Sequence, residues 1–368
     1  MGYGGGGGGG GGSGGGGSGG GGGAAGGSGY RRVSDDRTAN LKVDNITSRD
    51  GKRGTDVDGI VEVNSTAHFI PPSGTTAERG SRGRGVFGGG DPSTDIIEYI
   101  TISTLGNATD FGNLTTARKG PTACSSSIRG VFGGGHTPTK LNTIDFITIS
   151  STGNAFDFGD LTEVRTELSA CSSSTRGVFG GGSSPTKVKT IDFITIASKG
   201  NAAYFGDLSQ AKNNLAACSS STRGVFSNGN DGSNVNTIEF ITIATLGNAS
   251  DFGDSTQAKY GVSACSSSTR GVIGGGIVSA PTRVDIIDYV TIASKGDAID
   301  FGDLTQARFA PSACSSSTRG VFGGGDSPDY DIIDYITIAS VGNAVDFGNL
   351  TLARRTIGAC SDSHGGLE

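Results

Sequence analysis

Hydrophobic positions along the chain fall into short runs rather than at helical spacing. The clearest run is Ile-Asp-Phe-Ile-Thr-Ile and its variants, in which β-branched and aromatic residues alternate with Asp and Thr. Alternation with a period of two predicts a half-buried β-strand. No window keeps a period of 3.6 residues, so we predict an all-β chain. No apolar run approaches the ~18 residues that a membrane span needs, so we expect no membrane insertion.

This strand pattern belongs to a repeat. Four motifs recur in a fixed order: Arg-Gly-Val-Phe-Gly-Gly-Gly, Ile-Asp-Phe-Ile-Thr-Ile, Gly-Asn-Ala-x-Asp-Phe-Gly-Asp-Leu and Ala-Cys-Ser-Ser-Ser. The first motif, degraded in two copies, begins at Arg84, Arg129, Arg176, Arg223, Arg270 and Arg319. These anchors are 45, 47, 47, 47 and 49 residues apart. One strand per motif gives four strands in each unit, and six such units predict a six-bladed β-propeller.

The segments between the motifs have the composition of turns. In the Gly-Asn turns, the Gly adopts positive φ without steric cost. The connection Ser-Ser-Ser-Thr-Arg-Gly is so short that only a hairpin can form there. A β-solenoid is the main alternative fold. Its strand repeats are usually shorter, and it needs atypical capping units at both ends.

The two ends of the repeat region predict how the ring closes. The first unit begins directly at Arg84, and no Cys-Ser-Ser-Ser segment precedes it. The last unit ends with one such segment in surplus, Ala-Cys-Ser-Asp-Ser at residues 359–363. We expect this C-terminal strand to pair with the strand at residues 84–88, because an open ring would leave unpaired strand edges.

From residue 84 to residue 363 the units resemble the kelch repeat family. The resemblance implies a strand order within each blade: Ala-Cys-Ser-Ser-Ser innermost, then Val-Phe-Gly-Gly, then Asp-(Phe/Tyr)-Ile-Thr-Ile, and Asp-Phe-Gly-Asp-Leu outermost. A Phe stands where kelch outer strands carry a Trp. We expect these outer-strand side chains to pack between neighbouring blades; they are Phe111, Phe158, Phe205, Phe252, Phe301 and Phe347.

Cysteine and charged residues also repeat once per unit. We expect the six thiols to be small buried hydrophobic groups near the ring axis, since equivalent positions around a ring lie too far apart for disulfides. They are Cys124, Cys171, Cys218, Cys265, Cys314 and Cys360. Each third strand carries an acid, Asp145 in the second unit, and each second strand begins with an Arg, Arg129 in that unit. We expect these two to pair across the strands.

The residues before the repeats differ in composition. Residues 1–30 hold 22 of the 68 Gly and are predicted to form a flexible arm, because they bury too little apolar surface to offset the entropy of ordering. A packed polyglycine bundle, or a tether that folds on a partner, is the alternative. Residues 31–83 are predicted to be a connector with short strands around 41–46 and 59–69, and residues 84–368 the propeller domain. The start lacks the basic and apolar regions of a secretory signal.

Catalytic and metal-binding chemistry is sparse in the sequence. Only three His occur, in unrelated contexts, and there is no His-x-x-x-His or Cys-x-x-Cys spacing, nucleophile elbow or phosphate-binding loop. The strand-borne acids recur six-fold, whereas an acid/base pair needs two carboxylates in different environments. We therefore expect no enzyme activity, metal site or cofactor. The net charge of −6 argues against a nucleic-acid partner.

The loops that vary among the six units fall in two places, after Gly-Gly-Gly and before the Cys strand. Alternate loops of an up-and-down blade share a face, so we predict both sets on one face of the disc. Loops on a rigid frame commonly carry recognition, although relaxed constraint at a surface would give the same variation. The candidate receptor-binding residues on these loops are His136, Lys187, Asn230, Tyr260, Phe309, Asp329, Tyr330 and Arg355.

A second resemblance suggests a biological setting. Residues 41–51 and 68–79, together with the repeat motifs, are similar to segments of bacteriophage tail-fibre and virion structural proteins, including those of marine phages. The resemblance implies a tail-fibre or adhesin component, assembled in the host cytoplasm. It would contact other virion subunits through residues 1–83 and a host-surface glycan or protein through the propeller loops. The alternatives are a cellular kelch-type interaction module and an enzyme acting on surface polysaccharide.

Overall fold

The computed structural model describes residues 83–326 and 328–367. The Gly-rich arm at 1–30, the connector up to residue 82, its expected strands around 41–46 and 59–69 and the expected virion contacts of this region all lie outside the described residues. Within the described ranges the chain is a six-bladed β-propeller of four-stranded antiparallel blades, which confirms the predicted fold class. No helix in these ranges is long and apolar enough to cross a membrane.

We number the blades in chain order and the strands of each blade from the axis outward. The innermost strands of blades 1 to 6 are Gly358–Ser361, Thr122–Ser125, Ser169–Ser172, Ala216–Ser219, Ser263–Ser266 and Ser312–Ser315. The second strands are Arg84–Gly88, Arg129–Gly133, Arg176–Gly180, Arg223–Ser227, Arg270–Gly274 and Arg319–Gly323. The third strands are Thr94–Thr101, Thr143–Thr148, Thr190–Thr195, Thr237–Thr242, Ile286–Thr291 and Ile332–Thr337. The outer strands are Thr109–Arg118, Phe156–Asp160, Ala203–Asp207, Ser250–Asp254, Ile299–Asp303 and Val345–Asn349.

Short two-stranded hairpins follow the second strand in three blades. They pair His136–Thr137 with Thr139–Lys140, Ser183–Ser184 with Thr186–Lys187, and Ile277–Ser279 with Thr282–Arg283. A 3-10 turn at Gly365–Leu367 ends the described chain. The strand order within each blade is the one that the kelch resemblance implies.

The C-terminal strand closes the ring, as predicted. Gly358–Ser361 pairs antiparallel with Arg84–Gly88, and Val86 stands opposite Cys360. Just beyond the strand, the Asp362 carboxylate accepts hydrogen bonds from the backbone N–H groups of Gly83, at 2.7 Å, and Arg84, at 3.0 Å. Blade 1 is therefore built from both ends of the repeat region.

The hydrophobic cores lie between neighbouring blades. Phe111 on the outer strand of blade 1 is 2% exposed, and it belongs to one apolar cluster with Phe132 and Ile147 of blade 2. The other five outer-strand Phe residues are buried in the equivalent clusters. Each blade is thus held to the next by an aromatic side chain whose burial contributes roughly 1.5–3 kcal/mol.

The six cysteines are buried free thiols. Cys124 lies against Gly177 of the following blade, where a Cβ would come within 2.7 Å of the sulfur, and the other five make the equivalent contact. The Gly of Arg-Gly-Val-Phe therefore allows neighbouring blades to approach closely near the axis. Burial raises the pKa of all six thiols, which stay protonated at neutral pH.

A ring of serine hydrogen bonds joins the innermost strands. Between blades 2 and 3, Ser172 Oγ donates to the Ser125 carbonyl at 2.8 Å and accepts from the Ser125 N–H at 3.1 Å. The hydroxyl-to-carbonyl bond recurs around the axis at Ser125, Ser172, Ser219, Ser266, Ser315 and Ser361. Because Ser361 lies on the closing strand, the C-terminal segment completes this ring.

The segment after the closing strand crosses one end of the axis. Gly366 N–H donates to His364 Nδ1 at 3.1 Å, so the neutral imidazole carries its proton on Nε2, which lies 3.0 Å from the Ser125 carbonyl. A Cβ at Gly366 would lie 1.8 Å from the Ser172 carbonyl oxygen, so only Gly fits there. Residues 362–367 therefore lie across the end of the propeller axis where the ring of inner-strand Ser residues stands.

The buried imidazole predicts a dependence of stability on pH. Burial lowers the pKa of His364 from 6.5 to about 4. As the pH falls, His364 is therefore protonated near pH 6.5 in the unfolded chain but only near pH 4 in the folded protein. The contribution of the neutral imidazole to the free energy of unfolding is complete above pH 6.5 and declines as the pH falls toward 4. As the pH is lowered from 6.5 to 4, we expect the free energy of unfolding to decrease more steeply in the wild type than in His364→Gln. Urea unfolding at a series of pH values measures both slopes, and parallel curves would contradict the expectation.

The predicted pairing of the strand-borne acids with the Arg at the head of the second strand is wrong. Asp145 lies 2.9 Å from Arg118 Nη2 of the preceding blade, and both side chains are fully buried. Arg129 instead stacks over the ring of Phe146, with its guanidinium carbon 4.9 Å from the ring centroid. It also donates to the Ile196 carbonyl of the next blade at 3.0 Å. The acids therefore bind neighbouring blades together.

Candidate functional site

The two sets of variable loops lie on one face of the propeller, as their alternation along the blade predicts. In every blade, one residue before the innermost strand forms a backbone bridge to one residue after the second strand. In blade order, the bridged pairs are Arg355–Asp91, Lys119–His136, Thr166–Ser183, Asn213–Asn230, Tyr260–Ile277 and Phe309–Asp326. The same pair of framework positions thus presents a different combination of side chains in each of the six blades.

In each blade, the bridged residue before the innermost strand is followed by a residue that belongs to a ring around the axis. All six ring residues are in the left-handed region with φ between +50° and +65°: Thr356, Gly120, Glu167, Asn214, Gly261 and Ala310. Backbone hydrogen bonds follow the ring, for example from Asn214 N–H to the Glu167 carbonyl at 2.9 Å. The left-handed conformation costs a residue with a side chain roughly 1–2 kcal/mol, and backbone strain of this kind clusters at functional sites.

The bridged pairs and the left-handed ring enclose an open cavity of about 570 Å³, which we call the mouth cup. Its walls are the bridged pairs of blades 1, 2, 3, 5 and 6 together with Lys140, and four residues of the left-handed ring, Gly120, Glu167, Asn214 and Thr356, lie at its floor. Below the floor a narrower cavity of about 110 Å³ continues along the axis between the innermost strands. The volume of the mouth cup is within the usual range of small-ligand sites.

Opposite walls of the mouth cup differ in chemistry. On blades 5 and 6 the Tyr260 and Phe309 rings meet edge to face, with centroids 5.4 Å apart. A Cβ at Gly261 would come within 1.9 Å of the Phe309 ring, so this Gly allows the aromatic pair to form. Blades 2 and 3 lie half a turn away in a six-bladed ring, and there Lys119, His136, Lys140, Thr166 and Ser183 form a polar wall.

The loops around the mouth cup are tied to one another. Lys140 Nζ reaches from blade 2 to Ser183 Oγ of blade 3 at 2.7 Å, and Arg283 Nε reaches from blade 5 to the Asp326 carboxylate of blade 6 at 2.9 Å. Between blades 3 and 4, Lys187 donates to the side chain of Asn230. These contacts hold the cup in one shape before a ligand arrives, which lowers the entropy cost of binding.

The acids of the cup are engaged with neighbouring groups. Arg355 lies 2.8 Å from Asp91 and 2.6 Å from Asp326, and its Nη1 is 3.8 Å from Asp329. Glu167 accepts a hydrogen bond from Asn213 Nδ2 at 2.6 Å. The charge of Arg355 is therefore balanced inside the protein.

The structure brings four of the eight candidate receptor-binding residues into the mouth cup; they are His136, Tyr260, Phe309 and Arg355. Lys187 and Asn230 bond to each other on the rim, Asp329 lies beside Arg355, and the Tyr330 N–H donates to the Gly325 carbonyl. All eight are partly buried.

Sequence reasoning missed several polar residues of the cup. Lys119 occupies the position in blade 2 that Tyr260 occupies in blade 5, and Lys140 ends the hairpin that begins at His136. Alignment of equivalent positions in the six units would have identified Lys119. The reach of Lys140 into the cup depends on the distance between neighbouring blades, which the repeat pattern does not contain.

Within the part of the chain that the structure describes, no group of three His, Cys, Asp or Glu side chains is placed to hold a metal ion. In comparisons with known proteins, no protein-family model and no curated protein matches the chain. The kelch and phage-virion resemblances are therefore supported by the sequence motifs alone.

Proposed function

We propose that the chain is a virion structural protein, a tail-fibre or adhesin component, whose mouth cup binds a receptor on the host surface. The observation that carries this proposal is where the six units differ. Serine, cysteine and phenylalanine recur at the positions that build the frame, whereas the bridged pairs that wall the cup differ in every blade. Side-chain diversity on a rigid, preformed frame is typical of recognition sites.

Recognition is favoured over catalysis because of the state of the cup's carboxylates. Asp91 and Asp326 are paired with Arg355, and Glu167 accepts a hydrogen bond from Asn213. General acid/base catalysis needs carboxylates with distinct environments that can reach a substrate proton. We therefore propose a binding protein as the first candidate function and an enzyme acting on surface polysaccharide as the second.

The proposal predicts that cell binding depends on the aromatic wall. We expect the Tyr260→Ala/Phe309→Ala double variant to bind bacterial cells at least about tenfold more weakly than the wild type, because buried aromatic anchors carry much of the free energy of binding at such sites. Flow cytometry of a panel of bacterial strains with the labelled full chain gives the apparent affinity. Phe156→Ala is the matched control, since Phe156 is an exposed aromatic residue of an outer strand. Equal binding by both variants would contradict the proposal.

The virion setting has its own test. Mass spectrometry of purified phage particles should detect this chain among the structural proteins. Its absence from particles, together with co-purification with a cellular protein, would favour the kelch-type interaction module instead.

A further inference from the structure

We propose that the mouth cup binds an acidic saccharide, a glycan that carries a carboxylate. The apolar face of a sugar ring would lie against Tyr260 and Phe309, and the carboxylate would point toward Lys119 and Lys140. This inference depends on the proposed function, because it names the chemical class of the receptor.

The aromatic wall fits a sugar ring. Tyr260 and Phe309 are partly buried and packed edge to face, so each ring is fixed and one surface remains open to the cup. Ile277, which is bridged to Tyr260, is largely buried and adds apolar surface to the same wall. Small-ligand sites typically combine such apolar surface with a few polar groups that fix orientation, and a pyranose offers both an apolar C–H face and a rim of hydroxyls.

The opposite wall carries positive charge that the protein balances only weakly. The nearest carboxylate to Lys119 Nζ is that of Asp91, at 4.0 Å, and both side chains are partly exposed. Lys140 Nζ donates to two neutral oxygens, Ser183 Oγ at 2.7 Å and the Pro185 carbonyl at 3.2 Å. A ligand carboxylate placed between these ammonium groups would form charge-assisted hydrogen bonds, the stronger class of such bonds.

The experiment uses the full chain and two sets of glycans. An array of bacterial oligosaccharides, each uronic-acid member matched by its neutral counterpart, identifies the class that binds. Calorimetry with trigalacturonic acid and with α-1,4-linked galactotriose, which differ only in carboxylate against hydroxymethyl, measures the contribution of charge. We expect the array to show binding to carboxylated members over their neutral counterparts, and we expect added salt to weaken this binding.

Matched variants separate the cationic wall from net charge. Lys119→Gln/Lys140→Gln should weaken binding of carboxylated glycans at least about tenfold. Lys199→Gln/Lys295→Gln, which also removes two charges, at exposed Lys residues on equivalent turns before outer strands, should change it less than about twofold. Thermal melting of all variants should match that of the wild type, because these side chains are partly exposed or exposed.

Three outcomes would overturn the inference. They are preferential binding of neutral glycans, equal weakening by the Lys119/Lys140 and Lys199/Lys295 variants, and cell binding that survives periodate oxidation of the cells but not protease treatment. In the last case, binding that still requires Tyr260 and Phe309 would leave the proposed function standing. If the wild-type chain bound no cells at all, the proposed function itself would fail.

Discussion

Deletion of residues 356–368 is expected to abolish cooperative unfolding of the propeller. The deletion removes the innermost strand of blade 1, so Arg84–Gly88 loses its inner partner. It also takes Ile357 and Cys360 out of two interblade clusters and opens the serine ring at Ser361. A buried apolar side chain contributes about 1.5–3 kcal/mol, and whole domains are stable by only about 5–15 kcal/mol. The unpaired strand edge then favours aggregation.

Circular dichroism during thermal unfolding, together with size-exclusion chromatography, measures this effect. Truncation after Ser363 is the matched control, because it removes His364 and the 3-10 turn but leaves the closing strand and the Asp362 carboxylate in place. We expect this shorter deletion to retain a cooperative transition. A chain without residues 356–368 that melted like the wild type would show that the ring does not need its closing strand.

The pairing of the closing strand could be predicted by counting the copies of each motif. The sequence holds six copies of each motif, but the first unit lacks an inner strand and the last unit has one in surplus. Only pairing between the two ends gives blade 1 its fourth strand and leaves no inner strand without a blade. The strand order within a blade, by contrast, was implied by the resemblance to kelch repeats, and the observed sheets have that order.

The mouth cup was only partly predictable, because its walls are assembled around a ring. The sequence identifies which loops vary, and the alternation of loops along a blade assigns them to one face. The cavity also depends on which blades lie half a turn apart and on how far a side chain reaches across to the neighbouring blade. Gly261 illustrates the limit: its role is to make room for Phe309 of the next blade, a contact between residues 48 positions apart.

The strand register explains why the predicted pairing of the strand-borne acids with the Arg of the second strand is wrong. Arg129 stands opposite Thr148, and in a strand Thr148 shares a face with Phe146, two residues away, and not with Asp145. Arg129 therefore meets the aromatic ring, while Asp145 points into the space between blades. Arg118, the last residue of the outer strand of blade 1, enters the same space from the preceding blade and pairs with Asp145 there.

Asp145→Ala is expected to lower the free energy of unfolding by about 3–5 kcal/mol. The carboxylate accepts hydrogen bonds from Arg118 Nη2 at 2.9 Å, Thr115 N–H at 3.1 Å and Thr115 Oγ at 2.6 Å, and it is fully buried. Burial lowers the pKa of Arg118, and the charge of Asp145 opposes that shift. Removing the carboxylate leaves a buried guanidinium without its counter-charge, which is the most costly way to break such a pair.

Chemical denaturation of Asp145→Ala, of a surface control, and of a double variant together with its two single substitutions distinguishes this explanation from a simple loss of packing. Asp157→Ala, an exposed acid on the outer strand of the same blade, should change the free energy of unfolding by less than about 0.5 kcal/mol. Asp145→Leu combined with Arg118→Met should recover much of the loss, because an apolar pair of similar volume needs no counter-charge. If the double variant were as unstable as the sum of its single substitutions, the cost would lie in packing between the blades and not in the uncompensated charge of Arg118.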